Sequence, residues 1–376
     1  MKIIFFCGSL EPGRDGVGDY TRRLAGEMIR KGHQAGIVAL NDQYFVNEFD
    51  GVQESEDVII PVLRLSLALD FLQRLQRAKL WVDKINPEWL SLQFVPFAFH
   101  RKGLPFEMYR IISKIGKGRR WHIMVHELWV GMNQEAPLKF VYWGWLQKRL
   151  IKSFFEKLRP EVINTQTRLY VKMLAKIGFK AHYLPLFANI PMTSKLPESS
   201  DELIKYTDVE GMISLVVFGG IHPGAPIKQL AEELKLYSVA TGTKIKLKMI
   251  GRCGSEQLRW EQEVRAAGLI IELFGEQPPE RISEVLSNSS FGISTTPAQL
   301  IEKSGSVAAM QEHKLPILCV SRSWHPRGIS DVELSPGVIQ YKPGVIHSFM
   351  AVNVKSSQHK SISYITDKFT ANLLAI

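Results

Sequence analysis

A chain of 376 residues exceeds the length served by one typical hydrophobic core and fits two domains. Its 45% hydrophobic content is ordinary for a folded protein, and its longest apolar stretches, such as Leu215 to Phe218, suit buried strands and cannot span a bilayer. Residues 1–185 carry 28 Lys and Arg against 18 Asp and Glu, whereas residues 186–376 carry 19 of each, so the whole net charge of +10 lies in the first half. That asymmetry suits an anionic partner for the first half: a membrane surface, a phosphorylated acceptor or nucleic acid. The three cysteines, Cys7, Cys253 and Cys319, are scattered, and they read as small buried hydrophobes in a reducing compartment. KIIFFC runs into Gly8 and Pro12 too soon for a secretory signal, so a cytoplasmic location is expected.

The first half alternates strand and helix. Lys2 to Cys7 reads as a buried strand. A glycine-rich loop, GSLEPGRDGVGDY, then leads into a helix from about Tyr20 to Lys31, which Gly32 stops. Gly36 to Leu40 and Val58 to Pro61 are further strand candidates, and Leu67 to Lys84 has helical periodicity. Trp89 to Gln93, Trp121 to His126 and Glu161 to Asn164 are short apolar strands separated by helical runs. Such alternation predicts a parallel sheet covered on both faces.

Within this half, Gly16 and Gly18 precede the expected helix, so their N–H groups could approach a phosphate or a sugar. The pattern is not a clean G-x-G-x-x-G, because Thr21 takes the third glycine position. Asp42 is the nearest acid for a ribose, and a nicotinamide cofactor is disfavoured. Asp19 suits either a helix N-cap or a ligand contact. Gln93, at the end of its strand, lines a cleft or satisfies loop backbone. His126 and Glu127 end the strand WHIMVHE, where an imidazole can meet a sugar hydroxyl or steady charge at an anomeric carbon. The stretch Leu138 to Leu158 reads as a helix with Phe140, Trp143, Leu150, Ile151 and Phe154 on its apolar side. Tyr142 and Trp145 fall among Lys139, Lys148, Arg149, Lys152 and Lys157 on the other, a pattern suited to a lipid headgroup layer or to a solvated basic face.

LPLFANIP, residues 184–191, is a proline-bounded linker, and the alternation restarts after it. Strands are expected near Ser214 to Phe218, Lys246 to Ile250, Ile270 to Phe274, Phe291 to Ser294 and Leu315 to Val320. The segment EKSGSVAAMQEH carries the most chemistry. Ser304, Gly305 and Ser306 open a helix whose exposed N–H groups and dipole favour a phosphate, and Glu302 beside them can accept hydrogen bonds from hydroxyls. A phosphate cradle next to such a carboxylate suits a sugar nucleotide. Gly220, Lys228 and Arg252 follow strand ends in the same half and are candidate diphosphate contacts. No D-x-D and no His/Cys cluster of zinc spacing occurs, so neither a metal nor another cofactor is implied.

In order, the string GVGDYTRRLAGEMIRKGH, the strand-end His126, the linker, EKSGS and a terminal helix resemble the retaining GT-B glycosyltransferases of the family-four type. The resemblance implies two doubly wound Rossmann-like domains facing a cleft: an acceptor domain, 1–185, and a nucleotide-sugar domain, 186–356. A helix in 357–376 would return to the first domain. It implies transfer of a sugar from a nucleotide-diphosphate sugar to a glycan, glycolipid or small-molecule hydroxyl without metal, with no nucleic acid involved. Asp19 and Tyr20 would lie at the cleft, His126 and Glu302 at the reacting sugar, and Lys228 or Arg252 on the diphosphate. The chain departs from the family in two places. Ile221 and His222 stand where an Arg is usual, and Met310 stands where the second Glu, seven residues after Glu302, is usual. A sugar-nucleotide epimerase of the same fold and a non-catalytic nucleotide- or carbohydrate-binding protein are the alternatives.

Overall fold

The computed structural model describes residues 1–116, 118–192, 211–330, 333–352 and 361–375. They form two compact units. The first comprises Met1–Pro185, His325–Ser330 and the C-terminal helix; the second comprises Leu186–Trp324 and the described residues 333–352.

The first unit begins β1 (Lys2–Cys7), α1 (Gly16–Arg30), β2 (Gln34–Asp42), β3 (Phe49–Ser55) and β4 (Val58–Ser66). It continues through α2 (Phe71–Ile85), β5 (Trp89–Phe94), α3 (Pro96–Phe99) and α4 (Phe106–Ile111) to β6 (Arg120–Val125). The helix α5 (Leu138–Leu158), β7 (Val162–Thr165), α6 (Arg168–Ala175) and β8 (His182–Tyr183) complete the sheet, whose order is β3-β4-β2-β1-β5-β6-β7-β8. All neighbours are parallel except β3 and β4. That hairpin is an addition to the expected elements. Glu56 and Asp57 turn it with φ of 51° and 62°, the paired positive values of a type I′ turn, here without the glycine that usually marks one. The chain leaves β1 toward β2 on one side and β5 on the other, so a topological switch point lies at the carboxyl end of β1.

The second unit runs β9 (Ile213–Phe218), α7 (Ile227–Thr241), β10 (Ile245–Ile250), α8 (Gln257–Ala266) and β11 (Ile270–Gly275). Next come α9 (Pro279–Ser287), β12 (Phe291–Ser294), α10 (Gly305–Glu312), β13 (Ile317–Cys319), β14 (Val338–Gln340) and α11 (Ile346–Met350). Its sheet, β11-β10-β9-β12-β13-β14, is parallel throughout and switches between β9 and β12. Alternate β9 residues feed two cores: Leu215 and Val217 join Trp260 and Phe349, while Val216 joins Val307 and Met310. This is the period-2 logic of a sheet covered on both faces.

The terminal helix α12 (Ile362–Leu374) packs in the first unit, against α1. Its residues Ile365, Phe369 and Leu373, at i, i+4 and i+8, are fully buried, and the Phe369 ring sits 6.0 Å from Phe5. Burying each such side chain contributes roughly 1.5–3 kcal/mol. The exposed Lys31–Asp367 ion pair, at 2.6 Å, adds at most about 1 kcal/mol, so packing holds the helix. A second return, His325–Ser330, also belongs to the first unit, which interrupts the continuous second domain expected over 186–356. Its Arg327 N donates to Met132 O at 2.7 Å, and Pro326 bridges Asn133.

Two helices differ from expectation. α1 starts at Gly16, four residues before Tyr20, because Asp15 caps it and accepts from Val17 and Gly18 N–H. A Cβ on Gly18 would stand 2.5 Å from Ser9 O, so that glycine permits close packing of helix on loop. On α5, Phe140 is 44% exposed, while Gly144, Gln147, Ile151, Phe154, Phe155 and Leu158 face inward. Gln147 is tolerated there because its amide clamps three backbone groups, accepting from Val130 N–H and donating to Lys102 O and Gly103 O. Trp143 Nε1 donates to Lys102 O at 2.9 Å rather than entering the core.

Candidate functional site

In the second unit the loops after β9, β12 and β13 converge at the switch point, where open α/β sheets bind their ligands. Gly219 follows β9 with φ of 79°, and a Cβ there would lie 3.8 Å from Ser306 Cβ. Gly219, rather than the expected Gly220, thus faces the start of α10; a Cβ on Gly220 would meet open space. Ser304 is the N-cap of α10, its hydroxyl accepting from Val307 N–H, and it lies 3.1 Å from the Ser306 hydroxyl. The structure therefore joins Ser304, Gly305 and Ser306 to the β9 glycine turn. Glu302 precedes them in a 3₁₀ turn (Ala298–Lys303), half-buried.

His222 answers the missing arginine. Its N–H donates to Thr295 Oγ1 at 2.8 Å, and the same hydroxyl is 3.2 Å from His222 Nδ1. Thr295 Oγ1 thus engages both the His222 backbone and Nδ1, which leaves Nε2 as the ring nitrogen without a hydrogen bond among the described residues, on an exposed residue. Burial, then the positive charges of Lys303 and Arg322, hold the His222 pKa below the ordinary imidazole value. Neutral His222 can still donate to a phosphate oxygen. Lys303 and Arg322, which the sequence reading passed over, supply the charge. Arg322 is exposed, forms no ion pair among the described residues, and would touch a Cβ on Gly224 at 3.6 Å. Their sole sequence clue is position after strand ends.

The expected cations fare differently. Arg252, past the end of β10, is paired with Glu276 at 2.8 Å, so its charge is partly spent. Lys228 is the second residue of α7, exposed and without a hydrogen bond or ion pair among the described residues.

In the first unit, several expected ligand contacts turn inward. Tyr20 is 1% exposed, and its ring meets His126 edge-on at 5.0 Å. Gln93 is 1% exposed. Tyr20 thus offers no surface to a ligand, against what the resemblance implied, and Gln93 takes the buried of its two readings, with side chains rather than loop backbone as partners. Asp19 pairs with Arg22 and accepts from Gly13 N–H at 3.1 Å. Of the two candidate phosphate glycines, Gly18 has its N–H engaged by Asp15, whereas a Cβ on Gly16 would meet open space. Both lie in the first unit, inside α1. Asp42 is fully buried and spent on Arg64 Nε at 2.7 Å, Leu10 N–H and Tyr44 N–H.

His126, 5% exposed, heads a buried chain of hydrogen bonds through β5, β6 and β7. Its Nε2 donates to Gln93 Oε1 at 2.9 Å, and Gln93 Nε2 donates to Ser91 Oγ at 2.9 Å. Ser91 Oγ then donates to His122 Nδ1 at 2.8 Å, and His122 Nε2 donates to Asn164 Oδ1 at 3.0 Å. Asn164 Nδ2 ends the chain on His182 O at 3.3 Å. Each member has one consistent role, which fixes the His126 tautomer with its proton on Nε2. Burial above all pushes the His122 pKa down to about 3, so it is neutral.

A cavity of about 810 Å³ opens at the carboxyl ends of β1, β2, β4 and β5. Its walls include Asn41, Phe71, Arg74, Phe97, His100 and Arg101. It is large enough for a drug-sized ligand. Most of its wall comes from the segment PFAFHRKGLPFEM, where aromatics alternate with cations, and that was the available clue.

No protein-family model matches the chain, and no curated protein matches it by sequence. Solved structures do match. Anabaena HepE in complex with UDP and glucose is 14% identical, with 99% of this chain and 95% of HepE covered at a TM-score of 0.58. The lipopolysaccharide outer core galactosyltransferase WaaB is 13% identical, with 100% and 99% covered at 0.53. WaaG, a glycosyltransferase involved in lipopolysaccharide biosynthesis, is 10% identical, with 98% and 99% covered at 0.55. This chain has the GT-B fold. Its two units are Rossmann-like α/β domains, as in those proteins.

Proposed function

We propose that this protein is a glycosyltransferase that moves a sugar from a nucleotide-diphosphate sugar to an acceptor hydroxyl with retention of configuration. The observation that carries the reading is the anion site at the β9–β12 switch point: Gly219 against Ser306, with His222, Lys303 and Arg322 gathered there. Transfer breaks the bond from the anomeric carbon to the diphosphate oxygen, so negative charge develops on that oxygen. The α10 N-terminus, Arg322, Lys303 and His222 Nε2–H stabilise it without metal, and electrostatic terms of this kind dominate many catalysed displacements. Glu302 accepts hydrogen bonds from the donor sugar. Lys228 lies at the same end of the sheet and adds charge as the diphosphate is held. The acceptor binds in the first unit, and its hydroxyl proton passes to the departing diphosphate as the new bond forms. His126, with Nε2 committed to Gln93, steadies the sugar through its other edge or its backbone.

The cavity in the first unit favours a transferase over an epimerase, which needs no second substrate. The exposed side of α5 supports a membrane location for the acceptor. Leu138, Tyr142 and Trp145 share one helical stripe with Arg149 and Lys152, and the first three are 85%, 66% and 45% exposed. That order, apolar and aromatic residues followed by cations, suits an anionic bilayer surface. No helix among the described residues is long and apolar enough to cross a membrane.

Calorimetry with UDP and GDP, their sugars and the bare nucleosides tests the donor site. Arg322→Ala should weaken diphosphate binding by about 10-fold or more, the worth of a hydrogen bond to a charged partner, and leave nucleoside binding unchanged. Equal loss for both ligands would move the diphosphate elsewhere. Product analysis separates the alternatives, since an epimerase releases an altered nucleotide sugar and no glycoside.

A further inference from the structure

The cavity of the first unit contains a guanidinium with no ion-pair partner among the described residues. Arg74 is 6% exposed and lines the cavity wall. It donates through Nη1 to Leu40 O at 2.6 Å and to Asn41 Oδ1, both neutral acceptors. Its Nε is buried and has no hydrogen-bond partner. The nearest acids, Asp70 and Glu107, exert a Coulombic pull on Arg74, yet neither forms an ion pair with it. Asp70 is engaged as the cap of α2, accepting from Leu72 and Gln73 N–H. Burying a guanidinium without a counter-charge is costly, and a folded chain tolerates it where a ligand supplies the charge.

Two further donors stand on the same wall. Arg101 is exposed and makes no ion pair or hydrogen bond among the described residues. His100 Nδ1 accepts from both Lys102 and Leu104 N–H at 3.2 Å, so that nitrogen carries no proton and Nε2–H is the donor. The cavity wall itself carries two acids: Glu107, which is exposed, and Asp15, which is occupied in capping α1. Around these donors lie Phe71, Phe97 and Phe106, the last two 41% and 50% exposed. Arg74 itself stacks 5.2 Å above the Phe71 ring.

We infer that this cavity selects an acceptor bearing a phosphate ester, with the phosphate on Arg74, Arg101 and His100 Nε2–H and the remainder of the molecule against the phenylalanines. That the ligand is the acceptor rests on the transferase reading; that the cavity binds a phosphate ester does not. The ester comes from a soluble sugar phosphate or from a lipid headgroup, and the probes distinguish them. Glucose 6-phosphate is titrated into the full chain beside glucose. Dihexanoyl phosphatidic acid, kept below micelle formation, is titrated beside dihexanoylglycerol. One phosphate ester at least should bind, and its neutral counterpart should not. Arg101→Ala should weaken that binding by about 10-fold or more, as loss of a charged hydrogen bond requires, while UDP affinity in the second unit stays constant and reports an intact fold. Arg101→Lys should restore part of the affinity. The inference is overturned if neither ester binds, or if binding is indifferent to both Arg101→Ala and His100→Gln. Absence of UDP binding by the wild-type chain would instead refute the donor site, leaving the cavity to be judged by the esters alone.

Discussion

Lowering the pH from 7.5 to 5.5 should destabilise the first unit through His122. In the folded chain His122 is enclosed between Ser91 Oγ–H and Asn164 Oδ1, and its pKa falls from 6.5 to about 3. Burial is the main cause, and nearby His126 adds to it. A second proton on Nδ1 would face the Ser91 hydroxyl proton and unbalance the chain that runs to His126. In the unfolded chain the imidazole is ordinary and takes a proton as the pH drops through 6.5. The sign follows: the folded pKa is depressed, so stability is complete above 6.5 and is lost progressively as the pH falls toward 3. At pH 5.5 the unfolded imidazole is protonated about ten to one and the folded one is not, a loss of about 1.4 kcal/mol; at pH 7.5 the loss is under about 0.1 kcal/mol. Urea unfolding at the two pH values measures the total, and the same comparison on His122→Gln isolates this group, because the variant should lack that part of the pH dependence. Nitrogen NMR of the imidazole gives the direct reading, with Nδ1 unprotonated and Nε2 protonated throughout. A His122 signal titrating near 6.5, or a variant with the pH dependence of the wild type, would refute the reasoning.

Glu302→Gln keeps the shape of the residue and removes its charge. On the proposed role of Glu302 in accepting hydrogen bonds from the donor sugar, it should lower transfer by about 10-fold or more while UDP or GDP alone binds almost normally. Steady-state turnover beside calorimetry of the nucleotide checks this, and unchanged turnover would remove Glu302 from the site. Changing Lys148, Arg149 and Lys152 together to Glu should abolish flotation with phosphatidylglycerol vesicles at low salt and leave nucleotide binding intact. Each basic group near such a surface contributes roughly 1 kcal/mol, and binding of the wild type should fall steeply as salt is added. A wild-type protein that stays with the unbound fraction would point to a soluble acceptor.

The sheets were legible because their strands are short, almost wholly apolar runs bounded by glycine and helical periodicity. Trp89–Phe94 and Ile245–Ile250 are buried at every position. The helix start at Ser304 to Ser306 was legible because Ser is a preferred N-cap. The start of α1 was hidden, since Gly16 and Gly18 are poor helix formers and the need for Gly18 arises only from the approach of Ser9 O. Polar residues in the core misled in a related way. Gln93 and Tyr20 stand near strand and helix ends that face ligands in many folds, but the pairing of β5 with β6 brings His126 to Gln93, the packing of α1 brings Tyr20 to the same ring, and Ser91, two residues back on β5, meets the Gln93 amide. Arg322 was passed over, and Arg74 counted only as part of the basic field, for the opposite reason. Each is one arginine among many, and only the structure shows that it lacks a carboxylate.

The basic excess of the first half is not spread evenly once the ion pairs are drawn. Arg64 is matched by Asp42 and Glu11, Arg119 by Asp83, Arg120 by Glu161 and Arg77 by Glu48. The cations left without such partners include Arg74 and Arg101 in the cavity and Arg149 on α5, where its guanidinium rests 4.2 Å from the Trp145 ring. These places are mechanically one. The loop carrying His100 and Arg101 is fastened to α5, because Trp143 Nε1 donates to Lys102 O and Gln147 Nε2 donates to Lys102 O and Gly103 O. Gly103 has no room for a Cβ, which would lie 2.3 Å from Gln147 Nε2, so the loop is pressed onto the helix. A surface that docks through the exposed stripe of α5 therefore holds the cavity wall at a fixed disposition to that surface. Phosphate recognition and surface attachment then act on the same molecule when the ester is carried by a lipid. On the proposed membrane reading, a headgroup presented at the bilayer would meet Arg101 and His100 without a diffusional search in three dimensions, which is the gain that effective concentration gives any pair of linked contacts.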